Sequence, residues 1–253
     1  MNALLEEARV ALACLDLTSL NDGDDEASIE RLCVKAQTPQ GPVAAVCVWP
    51  RFVAQARAAL PAAIRVAAVA DFPDGELNLV RALRDIDTIA QAGGQEVDVV
   101  LPWRALQQGL VLEVAEFLAE VRHASRPLTL KVILESGELK EESLIRRASQ
   151  LALSAGADFI KTSTGKTPVS ATPEAATAML DEIRRSGFTH AGFKASGGIR
   201  SVAQAAGYIE QTRQALGAGA LNAQRLRFGA SGLLDDILQV LGGGASQSQG
   251  SAY

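Results

Sequence analysis

The sequence predicts a single α/β domain folded as a (β/α)8 TIM barrel with eight parallel strands. Three observations lead there. Eight short apolar runs alternate with amphipathic stretches, and strand–helix alternation implies parallel pairing through right-handed crossovers. The chain has 253 residues, a common length for this barrel. Four consecutive predicted strands each carry a charge inside an apolar run. Such a charge sits better toward a barrel interior than against the helices packed outside. A doubly wound open sheet is the alternative.

The strands are read, in order, at 15–18, 43–48, 64–70, 96–101, 128–135, 158–163, 191–195 and 226–229. The first is Leu15-Asp16-Leu17-Thr18, and the next two are plain apolar runs. The fourth to seventh carry Asp98, Lys131, Lys161 and Lys194. Helical segments fall between them. One spans 140–154 before Gly156. Another runs from Pro173 to Arg185, with Thr172 as N-cap, proline at the first helical position and Gly187 at C′. A third starts after Ser201, a suitable N-cap, and runs towards Leu216. No linker divides the chain, so residues 1–241 form the barrel. Residues 242–253, rich in Gly, Ser and Gln, read as a flexible tail ending in Tyr253.

Composition narrows the function. Charged residues are 21% and the hydrophobic class 48%, ordinary values for a soluble protein. The net charge of −5 comes without a basic block, which argues against a nucleic-acid partner. No apolar run approaches membrane-spanning length, and the acidic N-terminus lacks a signal pattern. Cys14, Cys33 and Cys47 are odd in number and lack metal-ligand spacing, so a reducing cytoplasm is the simplest location. Only His123 and His190 are present, too few for a His-rich zinc site.

The chemistry points to a lysine nucleophile. A buried lysine must pair its charge or lose it. One that loses it is a free amine, which attacks a carbonyl and forms a Schiff base. If Asp98, Lys131, Lys161 and Lys194 all point inward, repulsion and desolvation lower at least one lysine pKa. A single strand lysine often snorkels to solvent instead, but four charges on four adjacent strands weigh against that. Lys161 and Lys194 are the two candidate nucleophiles. Ser163-Thr164-Gly165-Lys166 offers hydroxyls, a close turn and a cation to a phosphate. Gly197 and Gly198 follow strand seven, and Gly229, Ser231 and Gly232 follow strand eight. Loops there are the usual phosphate site in this fold.

These residues resemble the 2-deoxy-D-ribose-5-phosphate aldolase family. The likeness rests on Asp158 to Lys166, Glu96-Val97-Asp98-Val99-Val100, Gly192-Phe193-Lys194 with Gly197-Gly198, and Phe228-Gly229-Ala230-Ser231. It extends to Leu15-Asp16-Leu17-Thr18, to Cys47-Val48-Trp49-Pro50-Arg51-Phe52 and to the terminal Ser-Ala-Tyr. The resemblance implies a class I, metal-free aldolase on a (β/α)8 barrel, with no cofactor beyond the imine. Its reaction is 2-deoxy-D-ribose 5-phosphate ⇌ D-glyceraldehyde 3-phosphate + acetaldehyde, in deoxynucleoside catabolism. It implies Lys161 as the imine-forming residue, Lys194 as the cation that lowers its pKa, Asp98 in proton transfer and Lys131 in the same charge network. Asp16, Thr18 and Cys47 would line the pocket. Gly165, Lys166, Gly197, Gly198, Gly229, Ser231 and Gly232 would hold the phosphate. Tyr253 would either assist protonation of the enamine or be only the end of the tail. Similar bacterial enzymes are commonly homodimers.

Two positions depart from the family pattern. Ala195 follows the strand-seven lysine where proline is frequent, and Gly232 stands where a second serine is frequent. A weaker phosphate grip is the expected result. Cys47 is either a small buried filler or a thiol able to add to an unsaturated aldehyde formed from acetaldehyde. Two competing readings remain. A different Schiff-base aldolase would need a group such as Arg51 for a substrate carboxylate. A sugar-phosphate binder without catalysis would not need Lys161, Lys194 and Asp98 together.

Overall fold

Residues 2–244 and 246 are described by a computed structural model. Eight parallel strands close a barrel: β1 (Leu15–Thr18), β2 (Ala45–Val48), β3 (Arg65–Ala70), β4 (Glu96–Val100), β5 (Thr129–Ile133), β6 (Phe159–Lys161), β7 (Gly192–Ser196) and β8 (Leu226–Ala230). Each pairs with the next, and β8 returns to β1 with Phe228 opposite Leu15. This is the closed alternative, not the open sheet. A two-stranded hairpin, Gln37–Thr38 with Gly41–Pro42, stands apart from the barrel.

Eleven α-helices are present among the described residues: α1 (Asn2–Ala13), α2 (Glu26–Lys35), α3 (Val53–Ala59), α4 (Leu79–Gln91), α5 (Trp103–Gln107), α6 (Val111–Ala124), α7 (Ser136–Leu139), α8 (Glu142–Ser154), α9 (Pro173–Ser186), α10 (Val202–Leu216) and α11 (Leu233–Leu241). Local chemistry sets their ends. The Thr172 hydroxyl accepts from the Ala175 N–H at 3.2 Å, and Gly187 closes α9 with φ 71°. Ser201 and Gln204 cap α10 reciprocally, each side chain accepting from the other's backbone N–H at 3.2 Å. The helix expected from residue 140 begins at Glu142, because Lys140 takes φ 61° and breaks the path.

All five residues of β4 are buried, and their alternation separates two environments. Val97 and Val99 belong to the apolar layer between strands and helices. Glu96 and Asp98 face the barrel axis. Arg227 on β8 reaches Glu96 on β4 at 2.9 Å, halfway round the barrel, a bond possible only through the interior. Among the described residues, no helix is long and apolar enough to cross a membrane.

Candidate active site

The charges embedded in β4 to β7 do converge. Adjacent strands carry Asp98 opposite Lys131 and Lys161 opposite Lys194. Asp98 takes Lys131 on Oδ1 at 2.7 Å. Its Oδ2 takes Lys161 at 2.9 Å and Lys194 at 2.8 Å. Lys131, Lys194, Asp16 and Asp98 are completely buried, and Lys161 is 3% exposed.

Two further groups, Glu96 and Arg227, complete this network, and sequence reasoning assigned neither of them. Lys131 meets Glu96 at 2.6 Å. Arg227 holds Asp16 at 2.5 Å and both oxygens of Glu96, and Arg65 holds Glu96 from the exposed side at 2.7 Å. Asp16 also receives Lys194 at 2.5 Å. Asp16 is therefore a charge partner under the pocket, deeper than a lining residue.

The pairing sets the direction of each pKa shift. The enclosed cations are Lys131, Lys161, Lys194 and Arg227, against the carboxylates Asp16, Glu96 and Asp98. One cation is in excess. Burial disfavours charge on every lysine, yet Asp98 and Glu96 raise the pKa of Lys131, and Asp16 and Asp98 raise that of Lys194. For Lys161 burial prevails: Asp98 opposes it, but the neighbouring Lys194 cation adds to the lowering. Burial also works against the Asp98 carboxylate, and Lys131, Lys161 and Lys194 more than reverse this, holding it ionised well below the ordinary range. Lys161, the lysine with a single carboxylate partner, is thus the one whose proton is held least tightly.

Lys161 also has access. It opens on a cavity of about 270 Å³ at the C-terminal mouth of the barrel. Thr18 lines the same cavity, as do Gly165, Lys166, Gly197, Gly198, Gly229, Ser231 and Gly232. The expected pocket residues are brought together there, apart from Asp16, which lies beneath, and Cys47, which is fully buried beside Thr18 in the strand register. Burial and the Asp98 carboxylate push its thiol up to about 11. Gly229 has a second use: a Cβ there would lie 3.0 Å from Lys194 Cε, so glycine makes room for that lysine. Lys166 reaches across the mouth to the Leu20 carbonyl at 2.7 Å. Tyr253 lies outside the described residues.

Arg200, Asn21 and Ser196 also line the cavity and were not anticipated. Arg200, two residues past Gly198, was the legible one, as a cation in a glycine-led phosphate loop. Arg51 lies over the Trp49 and Phe52 rings, with 5.5 and 4.6 Å to their centroids, and does not line the cavity. Among the described residues no cluster of three His, Cys, Asp or Glu side chains is arranged to hold a metal ion.

The site sets a lysine of lowered pKa beside an ionised carboxylate and a fixed cation, facing a glycine-lined mouth. That combination suits imine formation on a phosphorylated carbonyl compound. Comparison with known proteins agrees. The sequence model of the family described as DeoC/LacD family aldolase matches residues 10–238. A protein of Agrobacterium fabrum (strain C58) named deoxyribose-phosphate aldolase is 46% identical over 251 residues, covering 98% of this chain and 96% of that one. Among solved structures, a Toxoplasma gondii ME49 chain assigned the same name superposes with a TM-score of 0.88 at 24% identity, over 96% of this chain and 98% of that one. A deoxyribose phosphate aldolase from Aeropyrum pernix, described as tetrameric, gives 0.70 at 23% identity, over 94% and 98%. These two likenesses concern the fold.

Proposed function

The chain belongs to the DeoC/LacD family of aldolases, and from that premise we propose that it cleaves 2-deoxy-D-ribose 5-phosphate reversibly to D-glyceraldehyde 3-phosphate and acetaldehyde, with Lys161 as the nucleophile. One observation carries the assignment of the nucleophile. Of the lysines on Asp98, only Lys161 has its pKa lowered, and it opens on the glycine-lined cavity.

The neutral Lys161 amine attacks C1 of the open-chain sugar, and loss of water leaves an iminium. A base then takes the proton of the C3 hydroxyl, and the C2–C3 bond breaks. Its electron pair moves into the iminium and forms an enamine, so no bare carbanion arises. Glyceraldehyde 3-phosphate departs, C2 is protonated, and hydrolysis frees acetaldehyde and Lys161. Asp98, ionised and bonded to Lys161, relays the hydroxyl proton through a water. Lys194 stays charged, keeps the Lys161 pKa low and favours the nucleophile's neutral form. Lys131 supports Asp98 from below. Lys166, Ser231 and the glycines Gly165, Gly197, Gly198, Gly229 and Gly232 hold the phosphate, spending remote binding energy on the placement of C1 to C3.

The reading has four further parts. Residues 1–241 form the catalytic domain, and Tyr253, outside the described residues, assists enamine protonation. The chain is a homodimer, as in similar bacterial enzymes, which light scattering would test. It works in the cytoplasm, where the buried thiols of Cys14, Cys33 and Cys47 stay reduced. It needs no metal, so activity survives exhaustive chelation.

Borohydride trapping tests the central claim. The protein is incubated with acetaldehyde, reduced and digested, and the adduct is located by mass spectrometry. A two-carbon adduct on Lys161, absent from Lys161→Leu, is the expected result. An adduct on Lys194 would reverse the two lysine roles. No specific adduct on a folded protein would favour a sugar-phosphate binder without catalysis.

A further inference from the structure

Glu135 is a buried carboxylate that the mechanism above does not use. It stands just past the end of β5, at the mouth of the barrel that holds Lys161, and is completely shielded from solvent. Its backbone lies in the left-handed region, φ 56° and ψ 55°, where a residue with a side chain pays a strain cost. Burial raises its pKa, while hydrogen bonds from Thr164 and Thr167 and, as the smallest of these influences, the charge of Lys161 oppose that rise. A strained, buried acid at this position needs a reason.

Its partners supply one. Glu135 Oε2 accepts from the Thr164 hydroxyl at 2.5 Å, and Oε1 accepts from the Thr164 N–H at 3.2 Å and from the Thr167 hydroxyl at 3.3 Å. Having donated its proton to Glu135, the Thr164 oxygen offers a lone pair to the Lys166 N–H at 3.0 Å. The turn between them carries Gly165 at φ 79°. Glu135 therefore orients one hydroxyl, and that hydroxyl closes the turn from which Lys166 projects.

The same bracket presses on the second glycine loop. A Cβ on Gly137 would lie 2.0 Å from the Val169 carbonyl oxygen, so α7 sits directly against the segment that follows Lys166. A Cβ on Gly197 would lie 2.4 Å from Ser170 Oγ and 3.3 Å from Gly165 Cα. The chain from residue 135 to 140, the loop from 164 to 170 and Gly197 are thus packed in sequence, with no slack between them.

We propose that Glu135 is a positioning residue of the phosphate grip: through Thr164 it sets the Gly165–Lys166 turn, and thereby the preference for a phosphorylated over an unphosphorylated aldol substrate. The inference rests on the reading that Gly165 and Lys166 hold the phosphate. Glu135 has no hydrogen bond to Lys161 and only a minor charge interaction with it, so its loss acts mainly on binding of the phosphorylated end.

The test compares native enzyme, Glu135→Gln, Glu135→Ala and Thr164→Val on 2-deoxyribose 5-phosphate and on 2-deoxyribose, with the rate of borohydride-trappable imine formed from acetaldehyde as a third readout. Glu135→Ala is expected to raise KM for the phosphorylated sugar about tenfold, the scale of one lost charge-assisted hydrogen bond. Glu135→Gln, which keeps one acceptor, should recover part of this. The rate with 2-deoxyribose and the imine rate should stay within about twofold of native, on the same scale. Thr164→Val should reproduce the selective KM effect, and Glu135→Gln, which keeps the side-chain shape and one acceptor, carries the test if Glu135→Ala does not fold. Equal losses on both sugars, or a slowed imine step, would overturn the inference and assign Glu135 to Lys161 instead. A native preference for the phosphorylated sugar that survives in all variants would overturn it alone. Absence of that preference in the native enzyme would overturn the phosphate reading as well.

Discussion

Lys161 and Lys194 stand opposite each other in register on β6 and β7 and donate to the same oxygen of Asp98, at 2.9 and 2.8 Å. Two ammonium groups on one carboxylate oxygen are not equivalent here, because Lys194 also has Asp16. The pKa of Lys194 is therefore raised and that of Lys161 lowered.

Opposite pH shifts follow from the two neighbours of Lys161. The amine is active when neutral, so imine formation rises with pH through the lowered Lys161 pKa. Lys194→Met removes the repelling cation and leaves Asp98 to Lys161, which raises that pKa and moves the limb to higher pH. Asp98→Asn removes the attracting carboxylate and moves the limb to lower pH, while turnover falls about 100-fold or more from lost proton transfer. A pH profile of single-turnover imine trapping reads both. Shifts in the same direction would refute the charge model.

Gly232→Ser should tighten the phosphate site. Gly232 is exposed, has ordinary φ −101°, and a Cβ there meets nothing within 4 Å. Serine adds a hydroxyl at the cavity without strain. The expected change is a several-fold lower KM for 2-deoxyribose 5-phosphate, corresponding to about 1 kcal/mol for one hydrogen bond. No improvement in steady-state kinetics would remove Gly232 from the explanation of phosphate affinity.

Cys47 should be inert as a free thiol in the resting enzyme. It is fully buried and its pKa is pushed up to about 11, so almost no thiolate exists at pH 7.5. Iodoacetamide should leave Cys47 unlabelled in the folded protein and label it in urea. If Cys47→Met nevertheless outlasts the native enzyme in concentrated acetaldehyde, the damaging electrophile is delivered from within the active site.

Asp71 should make stability fall as pH rises. Its two carboxylate oxygens are buried without a hydrogen-bond donor, and burial pushes its pKa up to about 7, against the partial relief of Arg81 at 3.7 Å. The folded state then holds a proton that the unfolded state has released between about pH 4 and pH 7. Over that window the contribution of Asp71 to stability declines. Asp71→Asn removes the titration, and asparagine tolerates the left-handed backbone found here, φ 50°. Thermal melts should show its advantage growing from pH 5 to pH 8. A gain independent of pH would mean that the backbone effect alone is at work.

Much of the site was legible because its signals are local. Asp98, Lys131, Lys161 and Lys194 each interrupt an apolar run, Gly197 and Gly198 follow strand seven, and Gly229 sits near the end of strand eight. Glu96 was not legible as a network member, although it lies in the same run as Asp98. An acid at the start of a strand has the same appearance whether it meets solvent or an arginine. Arg227, next to the Phe228-Gly229 motif, was overlooked for the same reason. Its partner Asp16 lies 211 residues away.

The sequence by itself determined the strand order, the caps of α9 and α10 and the identity of the embedded charges. Period, capping and turn chemistry act over a few residues, so the chain displays them before it folds. Only the tertiary structure decided which lysine has its pKa lowered. The pKa of a buried amine depends on the balance between desolvation and its nearest charges, and barrel closure alone brings Asp16 to Lys194 while leaving Lys161 with Asp98.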